Sequence, residues 1–119
     1  MYLNPDEYDG SVPQDELESC LRRACRDIDS FTFNRIVKAG FENLTDFQQE
    51  LIKEAVRLHT DFIYDNAELL NSPLSSYSIS GVSMSFDRSK IVTVNGITTS
   101  REVYGLLMQT GLCHRRLDL

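Results

Sequence analysis

Thr45-Asp46-Phe47-Gln48-Gln49-Glu50-Leu51-Ile52-Lys53-Glu54-Ala55-Val56-Arg57-Leu58-His59-Thr60-Asp61-Phe62-Ile63-Tyr64, running on to Leu70, carries the one long unbroken helical pattern of the chain. Thr45 and Gln48 stand in the T-x-x-Q relation of a capping box, where hydroxyl and amide satisfy two backbone donors that a helix start leaves open. Phe47, Leu51, Ala55, Leu58 and Phe62 follow one seam, and Ile52, Val56, His59 and Ile63 the seam beside it. Glu50, Lys53, Glu54, Arg57 and Asp61 fall on the other side. A helix from Thr45 to Leu70 spans about 35 to 40 Å at 1.5 Å per residue, the width of a small domain. Asn71, Ser72 and Pro73 mark its end.

Upstream, Pro13 suits a first turn, and Asp15, Glu16 and Glu18 suit the positive end of a helix. Leu17, Cys20, Leu21, Ala24, Ile28 and Phe31 then recur at helical spacing, which predicts a helix over Gln14 to Asp29. A short helix over Phe33 to Ala39 fits between the two, capped by Thr32, ended by Gly40 and turning Phe33, Ile36 and Val37 inward. Residues 1–12 read as a mobile, acidic, turn-rich leader, and 13–71 as the helical body.

Downstream of Pro73 the period changes from helix to strand. Tyr77 and Ile79, then Val82, Met84 and Phe86, alternate with a one-residue shift at Gly81, the expected place for a bulge. Ile91 to Thr99 is rich in β-branched residues, so a hairpin from about Tyr77 to Thr98 is expected within an extended region over 72–99. Asn95-Gly96 either closes a second hairpin or kinks the return strand. Ser100 caps a last helix, Arg101 to Gln109, with Val103, Leu106 and Leu107 inward and Gly111 as its stop; 112–119 is a short basic tail with Arg115 and Arg116. The expected fold is therefore mainly α: a small helical bundle organised on one long central helix, with a projecting β-hairpin or extended loop before the last helix. Its expected core is Leu17, Leu21, Ile28, Phe47, Leu51, Val56, Phe62, Leu106 and Leu107.

The 119 residues suffice for one domain, burying about two-thirds of the unfolded surface. The net charge of −6 is unevenly placed: residues 1–71 hold 15 acidic and 7 basic side chains, and residues 72–119 hold 3 and 5. That asymmetry argues against wrapping nucleic acid with a basic face and permits head-to-tail contact between unlike surfaces of neighbouring copies. No run approaches about 18 apolar residues, and Met1 to Gly10 is acidic where a signal peptide would be basic, so no membrane partner and a cytoplasmic origin are expected.

Cys20, Cys25 and Cys113 form an odd set without C-x-x-C spacing, so neither a disulfide framework nor a metal site is expected. Cys20 reads as a small core hydrophobe, with Cys25 pointing elsewhere, and Cys113-His114 lacks a nearby acid. Asp61 and Asp65 read as solvated helix charges, and His59 as a hydrogen-bonded core histidine. The chain holds no phosphate-cradling glycine loop, dinucleotide fingerprint, H-E-x-x-H or G-x-S-x-G, so neither cofactor nor catalytic residue is expected. A helix, a glycine turn and a longer helix also admit a helix-turn-helix, and the alternative function is a small helical DNA-binding or packaging regulator. Its would-be recognition helix opens with Asp46, Gln48 and Glu50, and the carboxylates at that end are repelled by a phosphate backbone. Two strands alone are marginal in water, and the serine ladder Ser76, Ser78, Ser80, Ser83 and Ser85 keeps a half-polar hairpin soluble, which suggests strand pairing between copies. The expected interface residues are Tyr77, Ile79, Val82, Met84, Phe86, Ile91, Val92 and Val94, with Arg115 and Arg116 of the tail.

Four segments carry a family resemblance: Arg26-Asp27-Ile28-Asp29-Ser30-Phe31-Thr32, Leu44-Thr45-Asp46-Phe47-Gln48, Ser75-Ser76-Tyr77-Ser78-Ile79-Ser80-Gly81-Val82-Ser83-Met84 and Gln109-Thr110-Gly111-Leu112-Cys113-His114-Arg115. In this order, over about Asp15 to Arg116, the chain resembles the small head-tail connector (adaptor) proteins of tailed siphophages and related prophages. The resemblance implies a non-enzymatic structural virion protein that assembles as a homo-oligomeric ring, usually a dodecamer, beneath the portal protein. Such a ring extends the DNA channel, lets DNA pass without sequence-specific binding, and docks the next stopper or tail-completion protein. It implies a place at the head-tail interface of the virion and in the host cytoplasm during assembly.

Overall fold

The computed structural model describes residues 2–10, 12–66, 91–94 and 96–113. Among them are four α-helices, α1 (Gln14–Phe31), α2 (Arg35–Ala39), α3 (Asp46–Asp65) and α4 (Arg101–Thr110), and two strands, β1 (Ile91–Val94) and β2 (Ile97–Ser100). The architecture is mainly helical, with a small antiparallel hairpin directly before the last helix, as the periodicities predict.

The central helix starts where its capping box requires. The Gln48 N–H donates to Thr45 Oγ1 at 3.1 Å, and the Thr45 N–H donates to Gln48 Oε1 at 3.1 Å. It ends at Asp65, five residues before the expected Leu70. Asn66 leaves helical geometry (φ -114, ψ 19) while its backbone N–H at 3.1 Å and its side-chain amide at 2.9 Å both donate to the Phe62 carbonyl, which closes the last turn.

α1 runs two residues past the expected Asp29 because Phe31 completes its apolar stripe and is buried with Leu17, Leu21, Ala24 and Ile28. Its end is fixed by Thr32, whose hydroxyl donates to the Ile28 carbonyl at 2.9 Å. The expected start of the second helix at Phe33 does not hold. Phe33 (φ 57) and Asn34 (φ 58) are left-handed, so α2 begins at Arg35 and buries Ile36, while Phe33 and Val37 face solvent at 39% and 61% exposure.

α4 packs antiparallel to α3. Gln48 near the start of α3 donates to the Thr110 carbonyl at the end of α4 at 3.0 Å, and His59 further along α3 meets Thr99 just before α4. α1 is also antiparallel to α3, with Asp27 at His59 and Glu16 beside Ile63 and Tyr64. Ser100 accepts the Val103 N–H at 3.1 Å to start α4, and Gly111 in the left-handed conformation stops it. The core these helices enclose includes Leu17, Leu21, Ile28, Ile36, Leu51, Ile52, Val56, Ile63, Val103 and Leu107.

Three expected core positions differ. Phe47 is 60% exposed: Gln48, about 100° round the helix from it, is the residue aimed at α4, so the described residues leave most of the ring uncovered. Phe62, stacked on the His59 ring at 6.0 Å, and Leu106 are half-buried at the margins of the α3 and α4 stripes. The two α1 cysteines exchange roles, Cys25 being buried and Cys20 half-buried, because the N-terminal segment lies over the Cys25 side.

That segment is a strap and not the loose leader expected for residues 1–12. Leu3 and Val12 are buried in the core, and Pro5–Glu7 forms a single 3-10 turn. Tyr2 donates to Asp29 and stacks on Phe41, Tyr8 donates to Asp61 while accepting the Val12 N–H at 2.9 Å, and Lys53 pairs with Glu7 at 2.7 Å. The leader's apolar residues are few but sit at both ends of the acidic run, so its carboxylates stay wet while its ends are buried.

β1 and β2 pair antiparallel in the register Ile91↔Ser100, Val92↔Thr99, Thr93↔Thr98 and Val94↔Ile97. The chain therefore reverses between Val94 and Ile97, with Gly96 at φ 79, which settles Asn95-Gly96 as the closure of a tight hairpin. The first arm of the expected hairpin, Tyr77 to Phe86, lies outside the described residues. The return strand lies on the helical body, with Thr98 and Thr99 buried.

Candidate functional site

The most connected polar group of the fold forms where α1, α3 and β2 meet. His59 occupies a seam position of α3 and is completely buried, so both ring nitrogens need partners. Nε2 lies 2.8 Å from Asp27 Oδ2 on α1, and Nδ1 lies 2.8 Å from Thr99 Oγ1 on β2. In the tautomer that carries its proton on Nε2, the ring donates to the Asp27 carboxylate and Nδ1 accepts from the Thr99 hydroxyl. Phe31 meets the imidazole edge-on at 6.0 Å, with Phe62 stacked on it.

Hydroxyl, imidazole and carboxylate in line are the parts of a nucleophile relay, yet Thr99 is also completely buried. A hydroxyl with no access to solvent has no place beside it for a substrate. What the arrangement does is mechanical: it ties helix, helix and strand together through a ring whose two nitrogens are both engaged, in a setting where losing one partner is costly. The sequence marks His59 as a hydrogen-bonded core residue, and the structure agrees. It did not single out the partners. Asp27 was nevertheless legible, since Cys20, Ala24, Asp27 and Phe31 form one helical seam and a carboxylate on such a seam needs a buried partner; Thr99 carried no such signal in a strand rich in threonine.

The expected interface positions divide in two. Ile91, Val92 and Val94 are half-buried, and Val94 packs with Ile97 against the core, so this part of the hairpin already has a partner within the chain. Tyr77, Ile79, Val82, Met84, Phe86, Arg115 and Arg116 lie outside the described residues, as does His114. Cys113 is buried, and burial pushes its thiol up to about 11 against a smaller opposing effect of Arg35. Such a thiol is protonated at neutral pH and is a poor nucleophile. Asp61 is engaged by Tyr8 and by Arg57 at 3.9 Å. Among the described residues no three His, Cys, Asp or Glu side chains gather into a metal-binding group, and no described helix is long and apolar enough to cross a membrane.

The two ends of the body differ in character. At one end α2, the start of α3 and the end of α4 come together, joined by the Gln48 bond to Thr110 and by Arg35 donating to the Leu112 carbonyl at 2.9 Å. Of the four large apolar side chains that stand exposed among the described residues, Val37, Phe47 and Met108 belong to these elements and Phe33 to the turn that leads into α2. At the other end, the start of α1 and the end of α3 hold a shallow groove with Asp15 and Glu16 on its rim. Comparison of the chain with protein-family models, with curated proteins and with solved structures finds no match in any of the three.

Proposed function

We propose that this chain is a structural subunit of a virion head-tail connector, which assembles with copies of itself into a ring under the portal protein, continues the DNA channel and docks a stopper or tail-completion protein. The observation that carries this reading is the convergence of resemblance segments in space. Leu44 to Gln48 opens α3 and Gln109 to Cys113 closes α4, so two stretches far apart in sequence meet at one end of the body through the Gln48 bond to Thr110, while Arg26 to Thr32 meets α3 further along, at His59. The proposal also draws support from the rigid helical body with a hairpin before its last helix and from the acidic balance, which suits a wall that DNA slides past without sticking.

Deleting the gene from the phage or prophage that carries it should leave DNA-filled heads and free tails that do not join, and cross-linking of intact particles should place the protein at the portal vertex. Joined, infectious particles formed without the protein would overturn the proposal. A sequence-specific gel shift of duplex DNA at low salt would favour the regulator instead, and the exposed Asp46 and Glu50 at the start of α3 weigh against one.

A further inference from the structure

The turn between α1 and α2 pushes an apolar side chain outward at a conformational cost. Phe33 and Asn34 are consecutive left-handed residues without being glycine, and a left-handed phenylalanine is rare. The turn is held by the Asn34 N–H donating to the Asp29 carbonyl at 2.8 Å and the Phe33 N–H donating to the Ser30 carbonyl at 3.2 Å. Its result is a protruding knob: Phe33 with the Arg35 guanidinium 4.8 Å from its ring centroid, and Val37 one turn along beside Lys38. From Thr32 to Phe41 the chain has two basic residues and no acidic one.

The opposite end of α1 has the complementary relief. The groove there is floored by Cys20, Ile63 and Tyr64, rimmed by Asp15 and Glu16, and closed on its far side by Arg23. The groove lies along the first half of the 18-residue α1, from Asp15 to Arg23, and the knob follows the last residue of that helix, about 15 to 27 Å away, so neither can reach the other within one chain. A contact between two different surfaces of identical chains is heterologous and propagates from copy to copy, closing a ring when the rotation permits.

We infer that the Phe33 to Lys38 knob of one copy seats in the Asp15, Glu16 and Tyr64 groove of the next, apolar side chains on the floor and Lys38 against the acidic rim. This names the self-contact of the connector proposed above and rests on that reading; the occupant is a second copy because basic knob and acidic rim are complementary and both belong to this chain.

Two experiments test it. In the first, a photo-crosslinking benzoylphenylalanine at position 37 is introduced into assembled particles and into concentrated purified chain, each mixed from light and isotopically heavy copies. Cross-links should join a light copy to a heavy one within residues 14–23 or at 63–64. The second uses exposed charges away from the core: Lys38→Asp should weaken self-association about tenfold, and adding Asp15→Lys should restore most of it, with thermal melts of both variants unchanged. Particles that contain the protein but show position 37 cross-linked to the same chain, to residues 67–90 or to another protein would overturn the knob and groove and leave the connector reading standing. No rescue by the double variant would also overturn the contact. Absence of the protein from particles would instead remove the connector reading.

Discussion

Thr99 is the member of the buried relay that can be altered with least disturbance of shape. Thr99→Val keeps the volume but leaves His59 Nδ1 in the core without a donor, which should cost about 1 to 3 kcal/mol in urea or thermal unfolding. Thr93 bonds Thr98 from the exposed side of the same hairpin, and Thr93→Val should stay within about 0.5 kcal/mol. Equal losses for the two variants would show that the relay contributes nothing particular. A second comparison separates seam position from burial. Leu21→Ala removes a wholly enclosed side chain and should cost about 2 to 5 kcal/mol, whereas Phe47→Ala, on the same kind of apolar seam, should cost less than about 1 kcal/mol. Periodicity marks which way a residue points around a helix, and it was right for Leu51, Val56 and Leu107. It carries no information on whether a neighbour extends far enough to cover the position, which is what decides Phe47.

Among the elements, the N-terminal strap is the one whose attachment should depend most visibly on pH. Burial first, and then the bond to Asp61, push the Tyr8 phenol up from its ordinary value near 10 to about 12. The folded state therefore holds this proton more tightly than the unfolded chain. The strap's contribution is fully present below about pH 10 and is lost as pH rises toward 12. Tyr8→Phe should be less stable than the parent near pH 8, and the gap should narrow near pH 11; a gap that widens would refute the assignment. Gly96 at φ 79 has open space around it, so Gly96→Ala should weaken the hairpin by about 1 kcal/mol through backbone strain alone, read as faster amide exchange in β1 and β2. The helices were legible because each carries its own stripe and a cap with a physical partner, as at Thr45 and Ser100. The strap was not, because Leu3 and Val12 are nine residues apart with acids and turn residues between, a spacing that announces neither period. Where the hairpin turns was undecided for a similar reason: Asn95-Gly96 fits a kink as well as a closure until the pairing of Val94 with Ile97 is known.

At the scale of the whole molecule, helix, strand and strap share one core, so the body should unfold in a single transition and the amides of Ile97–Ser100 should exchange nearly as slowly as those in the middle of α3. A separate early transition in the strand would show that the hairpin is an appendage. The relay also sets an order of events in time. Asp27 and His59 are separated by 32 residues and His59 and Thr99 by 40, so a ribosome makes both helices of the clasp well before its strand exists. At about 5 to 20 residues per second, His59 waits roughly 2 to 8 s for its second partner. Through that interval the imidazole has one nitrogen without its protein partner and open to water, and the core is complete only once Thr99 and, after it, Val103 and Leu107 of α4 have been made.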